Sequence, residues 1–183
     1  MKLEPSEFER LAVEQLDTVY RVARRLARDP NRAEDLVQET YLRAFRSRVG
    51  FSLEAFGIRP WLLRILYNLH LSKGQREGRQ PVAIEEDRLQ AAEGKSSLDE
   101  GGLPVDLKSR EGMDERLVRA IDALAPEYAA PLVMWAVEDL SYKEIAVAMD
   151  VPIGTVMSRL HRARQKLSEA LHDLAVEERI IRE

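Results

Sequence analysis

Apolar residues recur at steps of three to five along the N-terminal part of the chain, which is the period of amphipathic α-helices. The first stretch predicts one helix that ends near Asp29 and Pro30, with an apolar face formed by Phe8, Leu11, Leu16, Val19, Val22 and Leu26. Asn31 then precedes Glu34 by three residues, the spacing of a capping box, and predicts the start of a second helix. The apolar face of this helix contains Leu36, Val37, Thr40, Tyr41, Ala44 and Phe45.

The helical period breaks at residues 46–57, where Gly50 and Gly57 flank two aromatic residues, Phe51 and Phe56. Pro60 suits the first turn of a third helix. Its predicted buried stripe contains Leu62, Ile65, Leu66 and Leu69, and its neighbouring face contains Trp61, Arg64, Asn68, Ser72 and Gln75. Cations follow at Lys73, Arg76 and Arg79. This combination suits a surface that stacks unpaired bases and holds their phosphates, although a tryptophan at helical spacing also suits a core.

The C-terminal part begins with another apolar stripe, formed by Leu117, Val118, Ile121 and Leu124. Pro131 interrupts the apolar run that follows, and a helix tolerates proline in its first turn or at a kink. We therefore expect the next helix to start near Pro131 or to bend there.

Residues 140–167 are the most informative stretch. Ser141 and Glu144 have capping-box spacing, and Asp150 and Pro152 mark a turn after two helical turns. A long helix is predicted from Ile153, with its buried edge at Val156, Leu160, Ala163, Leu167, Leu171 and Leu174. The pattern predicts a helix-turn-helix. The outer face of its second helix is basic and suits the major groove of DNA, although a solvated face of a helical hairpin would show the same charges.

Composition divides the chain into two modules and a tether. Residues 81–115 carry 10 acidic and 4 basic side chains, whereas residues 1–80 carry 11 acidic and 15 basic ones. The net charge of −4 therefore describes the tether more than it describes possible nucleic-acid surfaces. We predict an all-α chain with helical domains at 1–80 and 113–183, the second a helix-turn-helix, joined by a flexible acidic linker at 81–112.

Several classes of protein are disfavoured. The chain has no cysteine, and its three histidines show no metal-ligand spacing, so no metal or cofactor site is predicted. We found no apolar run near the roughly 20 residues of a membrane span and no nucleophile–base pair of a hydrolase. We expect a cytoplasmic protein that is not an enzyme.

Three stretches together resemble the signatures of extracytoplasmic-function sigma factors of bacterial RNA polymerase. They are Ala33–Phe45 (AEDLVQETYLRAF), Arg59–Leu69 (RPWLLRILYNL) and Leu140–Leu167. Their order and spacing also match that family. Two positions depart from it, because Ser72 stands where many members have aspartate and Asp150 stands where glycine is usual.

The resemblance implies three interaction surfaces. Docking on the β′ clamp helices of core polymerase would use Asp35, Leu36, Gln38, Glu39 and Tyr41. Melting and capture of the minus-ten non-template strand would use Phe51, Phe56, Trp61, Arg64, Asn68 and Arg76. Reading of the minus-thirty-five duplex would use Thr155, Ser158, Arg159, His161, Arg162 and Lys166.

The resemblance also implies further partners, namely the polymerase β flap and an anti-sigma factor, and no small-molecule substrate. The acidic linker would run into the polymerase cleft. A stand-alone helix-turn-helix regulator is the alternative, because it explains residues 140–167, but it leaves the first module without a role.

Overall fold

The computed structural model describes residues 4–51, 56–76 and 115–177, and the described residues contain α-helices and no strand. The predicted linker at 81–112 lies outside the described residues. The helices are α1 (Pro5–Glu14), α2 (Leu16–Ala27), α3 (Pro30–Ser47), α4 (Ile58–Arg76), α5 (Glu115–Ala123), α6 (Pro126–Ala136), α7 (Tyr142–Met149) and α8 (Ile153–Glu177). We call α1–α4 the N-terminal half and α5–α8 the C-terminal half. The all-α prediction is confirmed.

The predicted first helix is two helices, because the chain turns at Gln15. The backbone of Gln15 has φ −95° and ψ 3°, and its N–H donates to the carbonyl oxygen of Ala12 at 3.1 Å. The break lets α1 pack on α4 while α2 packs mainly on α3. The apolar period gave no sign of it, because Phe8, Ala12 and Val19 would share one face of an unbroken helix.

The N-cap of α3 is Asp29, two residues before the predicted cap. Its carboxylate accepts a hydrogen bond from the N–H of Arg32 at 2.8 Å, and Pro30 occupies the first helical position. Proline is well suited to that position because its φ is already helical and its missing N–H would have no partner there. The predicted buried face of α3 is confirmed, since Leu36, Val37, Thr40 and Ala44 are buried.

Helix α4 lies at the centre of the molecule. It packs against α1, α2 and α3 on one side and along α7 on the other. The predicted residues Leu62, Leu66 and Leu69 are buried, and so are Leu63 and Tyr67, which the single predicted stripe omitted. A helix covered on two sides needs more than one apolar stripe, and the second cover comes from the C-terminal half.

Pro131 neither starts nor visibly divides α6. The helix begins at Pro126, which takes the first helical position, and it continues through the buried Pro131. The prediction of a start near Pro131 was therefore wrong. Pro126 provides the earlier start because its fixed φ and absent N–H suit that end of a helix.

The helix-turn-helix is formed by α7 and α8, as predicted. The capping box is complete, because the Ser141 hydroxyl accepts from the N–H of Glu144 at 3.3 Å and the Glu144 carboxylate accepts from the N–H of Ser141 at 2.8 Å. Asp150 ends α7 in the left-handed conformation at φ 55°, and α8 packs on the core through Val156, Leu160, Ala163 and Leu167.

Replacing Ser141 with alanine is expected to lower the free energy of unfolding by about 1 kcal/mol, because an N-cap hydrogen bond is lost. Urea unfolding followed by circular dichroism measures the change. Ser168→Ala is the matched control, since Ser168 is exposed within α8 and caps no helix. Equal losses for the two variants would contradict the capping role.

Candidate nucleic-acid and protein interfaces

The exposed face of α3 contains part of the predicted docking set. Asp35 and Gln38 are exposed, and the carboxylate of Glu39 accepts a hydrogen bond from Arg43 at 2.8 Å. Leu36, by contrast, is buried in the core and packs α3 against it. The family resemblance places Leu36 on the docking surface with its polar neighbours, whereas the apolar period places it on the buried face, and its burial agrees with the period.

Leu42 is a residue of this face that the sequence pattern missed. Its side chain is 51% exposed, and it lies one turn beyond Gln38 and Glu39 on the same side of α3. An exposed leucine between polar residues adds apolar area to this face of α3. Leu42 lies within the quoted stretch Ala33–Phe45, and its spacing of four from Gln38 was the available signal, but the predicted docking set did not include it.

Tyr41 ties α3 to α1. Its hydroxyl donates a hydrogen bond to the carbonyl oxygen of Ala12 at 2.8 Å, and its ring packs against the core. Burial, together with the nearby carboxylate of Asp17, raises the pKa of Tyr41 to about 12. The hydroxyl therefore stays protonated at neutral pH and keeps this bond, which joins α3 to α1.

Aromatic residues of α1, α3 and α4 form a packed cluster together with Phe51. The ring of Phe8 meets those of Phe45, Phe51 and Trp61 at centroid distances of 5.8, 5.5 and 5.9 Å. Phe51 and Trp61 are 4.7 Å apart, and Phe51 is only 7% exposed. The sequence placed Phe51 on the strand-reading surface, but its ring is buried because Phe8 and Trp61 cover it. Phe56 is the exposed aromatic, and Trp61 is half-buried.

The polar residues of α4 are engaged in different ways. Asn68 is exposed, and its backbone oxygen accepts a hydrogen bond from the Ser72 hydroxyl at 2.8 Å. Arg64 donates to the carboxylate of Asp150 at 2.6 Å. The side chain of Arg76 lies outside the described residues. The structure thus places Trp61, Arg64 and Asn68 on one helix and leaves Phe56 just before it.

The predicted minus-thirty-five residues lie along α8. His161 and Lys166 are exposed, whereas Thr155, Ser158, Arg159 and Arg162 are half-buried. The Ser158 hydroxyl donates to the carbonyl oxygen of Thr155 at 3.0 Å. Further along, the guanidinium of Arg164 stacks on Trp135 at 4.4 Å, so this cation supports the packing of α8 on α6.

Ion pairs connect the two halves, and in each of the following the arginine comes from the N-terminal half. Arg21 donates to both carboxylate oxygens of Glu138 at 2.7 Å. Arg59 donates to Glu144 at 2.6 Å, and Arg64 donates to Asp150 at the same distance. Glu144 lies in the first turn of α7, Asp150 directly follows its last residue, and Glu138 lies in the loop before it.

The environment of Glu144 reflects this contact. Burial alone would raise the pKa of Glu144, but hydrogen bonds from Arg59 and Ser141 outweigh it and hold the pKa below its ordinary value. The carboxylate is therefore ionised at neutral pH, and acidification through its lowered pKa would remove both its cap and its ion pair.

None of the helices in the described ranges combines the length and apolar character needed to cross a bilayer. The polar clusters of the same ranges include no group of three or more histidine, aspartate or glutamate side chains arranged to hold a metal ion.

Each half of the chain matches a known protein-family model. Residues 12–80 match the model of Sigma-70 region 2, and residues 114–167 match that of Sigma-70, region 4. The ECF RNA polymerase sigma-E factor of Escherichia coli K12 is 31% identical over 76% of this chain and 74% of its own length. The ECF RNA polymerase sigma factor SigE of Mycolicibacterium smegmatis is 38% identical over 90% of this chain, which spans 61% of that relative.

The fold also resembles two solved structures along most of its length. The sigma factor RpoE in complex with the anti-sigma factor NepR from Bartonella quintana matches with a TM-score of 0.67 at 23% identity, covering 91% of this chain and 97% of that one. CnrH in complex with the cytosolic domain of CnrY matches with a TM-score of 0.62 at 21% identity, covering 93% and 90%. This chain belongs to the extracytoplasmic-function sigma factors of RNA polymerase.

Proposed function

We propose that this chain directs core RNA polymerase to specific promoters, without catalysing a reaction itself. The observation that carries the proposal is the presence of both sigma regions in one chain, each with its own helical half. One half would hold the minus-thirty-five duplex while the other captures the melted minus-ten strand. Two tethered contacts gain affinity when both promoter elements lie at the correct spacing, so promoter spacing would be read as well.

The docking surface for the polymerase β′ clamp helices would be the exposed face of α3, with Asp35, Gln38 and Glu39 as its polar contacts and Leu42 as its apolar anchor. Leu36 and Tyr41 would act indirectly, because they hold α3 on the core. Leu36 is buried and offers no area to a partner, whereas Tyr41 is half-buried and its hydroxyl is already bonded to the carbonyl oxygen of Ala12.

The strand-reading surface would be the start of α4 and the loop before it. Phe56 and Trp61 would stack unpaired bases, Asn68 would supply polar contacts, and Arg64 would hold phosphate. Arg76 remains a proposed phosphate contact from the sequence. Phe51 would support the surface by packing under Trp61, because its own ring is covered.

The duplex-reading surface would be the outer face of α8, where Thr155, Ser158 and Arg159 precede His161 and Arg162, and Lys166 follows near the backbone. An N-terminal segment of a recognition helix contacts base edges in the major groove, and its cations hold phosphates. The β flap of polymerase and an anti-sigma factor are further proposed partners. The acidic linker would occupy the polymerase cleft.

Run-off transcription tests the proposal. Core RNA polymerase is supplied with a library of random-sequence promoters, with and without this chain. Selective initiation that requires the chain supports the sigma role. Tight duplex binding by the chain alone, with no affinity for core polymerase, would instead support a stand-alone helix-turn-helix regulator.

Replacing Arg162 with alanine is expected to weaken binding to the selected minus-thirty-five duplex about tenfold, since each specific arginine contact contributes roughly 1–3 kcal/mol. Fluorescence anisotropy with the labelled duplex measures the change. Arg119→Ala is the matched control, because Arg119 is an exposed arginine of the same half on α5. A similar loss for both variants would mean that general charge, rather than the α8 face, holds the duplex.

A further inference from the structure

Two apolar side chains on α8 have no role in the hydrophobic core. Ile153 is 42% exposed at the first position of the helix, and Met157, one turn later, is half-buried. Neither belongs to the core or to the partly buried apolar residues that pack on it. A single exposed apolar side chain is ordinary, but two at a spacing of four form a strip along one side of the helix. This strip lies beside the proposed duplex-reading residues, and the sequence pattern assigned it no function.

The start of α8 does not need Ile153 for its own stability. The carbonyl oxygen of Pro152 accepts hydrogen bonds from the N–H groups of Thr155 and Val156 at 2.9 and 3.3 Å, so Pro152 takes the capping position. The apolar contact that commonly steadies a helix start uses the residue before the cap and the fourth helical residue. Here these positions are Val151, which packs on the core, and Val156, which is buried. Ile153 stands outside both positions.

The outer side of this first turn is open. Gly154 is exposed, and a Cβ atom placed on it would meet no heavy atom of the surrounding structure within 4 Å. The missing side chain lets another molecule approach the backbone next to Ile153. Residues 152–167 carry four basic side chains and no acidic one, so a polyanion complements this end of α8.

We propose that Ile153 and Met157 read thymine in the minus-thirty-five duplex through the 5-methyl group of the base. This inference rests on the proposed function, because it takes α8 as the duplex-reading helix. The thymine methyl is the apolar group that base pairs display in the major groove, and apolar side chains contact it. The flexible thioether chain of Met157 adapts its shape to such a group.

The position of the strip on α8 indicates where the thymines lie. Ile153, Met157 and His161 follow one another at steps of four, so they form one row along the helix, and Arg162 belongs to the adjacent row. Four residues advance about 6 Å along a helix, whereas stacked base pairs are about 3.4 Å apart. The apolar strip therefore spans about two base pairs, beside those that Arg162 would contact.

Replacing thymine with uracil in the DNA tests the inference, because this change removes only the methyl group. A duplex is first selected from a random-sequence pool for binding to the full chain, and each of its thymines is then replaced in turn. Fluorescence anisotropy measures the dissociation constants of the native chain, of Ile153→Ala and of Met157→Ala. Val118→Ala is the matched control, because Val118 is a half-buried apolar residue of α5 in the same half. Circular dichroism verifies that each variant is folded.

Methyl readout predicts a ratio of affinities, thymine over uracil, that depends on the two side chains. At one or two neighbouring positions, uracil weakens binding to the native chain about fourfold, the effect of losing one buried methyl group. Ile153→Ala and Met157→Ala each lower this ratio toward one, whereas Val118→Ala leaves it unchanged. A substitution that only destabilised the helix would weaken binding of both duplexes equally. The ratio therefore separates readout from folding.

Two results would overturn the inference. One is the absence of any thymine at which uracil weakens binding to the native chain, and the other is a uracil penalty that persists in both Ile153→Ala and Met157→Ala. Run-off transcription tests the proposed function separately, because the anisotropy measurement needs no polymerase. Selective initiation without a uracil penalty would refute the thymine readout alone. A uracil penalty without selective initiation would refute the sigma role alone.

Discussion

Substituting Phe8 with alanine is expected to lower the free energy of unfolding by about 3–5 kcal/mol, the usual range for a large aromatic residue in a core. Phe8 is 2% exposed, and its ring contacts three other aromatic rings, including those of Phe51 and Trp61. The lost area and the cavity left behind both contribute. Urea unfolding followed by tryptophan fluorescence measures the change.

The same substitution is expected to affect the proposed strand-reading surface. Phe8 lies against both Phe51 and Trp61, so its removal loosens the base of the loop ahead of α4. Val13→Ala is the control on the same helix, because Val13 is 59% exposed and its truncation should change stability by less than about 0.5 kcal/mol. A loss below 1 kcal/mol for Phe8→Ala would mean that the aromatic cluster is not part of the folding core.

Reversing the charge at Asp35 is expected to weaken binding to core polymerase by at least about thirtyfold, which corresponds to ~2 kcal/mol, the level of an interface hot spot. Asp35 is exposed on α3 beside Gln38 and Glu39, so lysine at this position would oppose a partner that complements carboxylates. Titration of fluorescently labelled chain with core polymerase measures the dissociation constant of the Asp35→Lys variant.

Glu34→Lys provides a matched control for this measurement. Glu34 is also exposed and has the same charge change, but it is rotated by about 100° around α3 from its neighbour. We expect its effect on affinity to be several times smaller. If the two variants weaken binding equally, the effect is one of net charge, and the assignment of the docking face is wrong.

The helix-turn-helix was predictable because its signals are local. Ser141 and Glu144 form a capping box within one turn of chain, and Asp150 adopts the left-handed conformation that a short side chain tolerates. The apolar spacing of α8 places its buried edge without knowledge of any neighbour. The signals that determine these elements lie within the elements themselves, so sequence and structure agree there.

The placement of Phe51 and Leu63 was not predictable from periodicity, because their burial depends on distant parts of the chain. Phe51 is covered by Phe8, and Leu63 belongs to a helix that the C-terminal half covers. The start of α3 was misplaced for a local reason, since two nearby side chains could each cap it and Pro30 selects Asp29. The motif predicts which helices bear the contact surfaces, and exposure narrows the proposed contacts to side chains that a partner could reach.

The turn residue Asp150 has a consequence for reading related sequences. Its φ of 55° is a conformation that glycine adopts without strain. Glycine would terminate α7 equally well but could not reach Arg64, whereas the aspartate makes that contact at 2.6 Å. An aspartate at this position together with an arginine at the position of Arg64 therefore marks this contact in a sequence. Relatives with both residues are expected to form this ion pair between α4 and the end of α7. Relatives with glycine at the turn are expected to lack it.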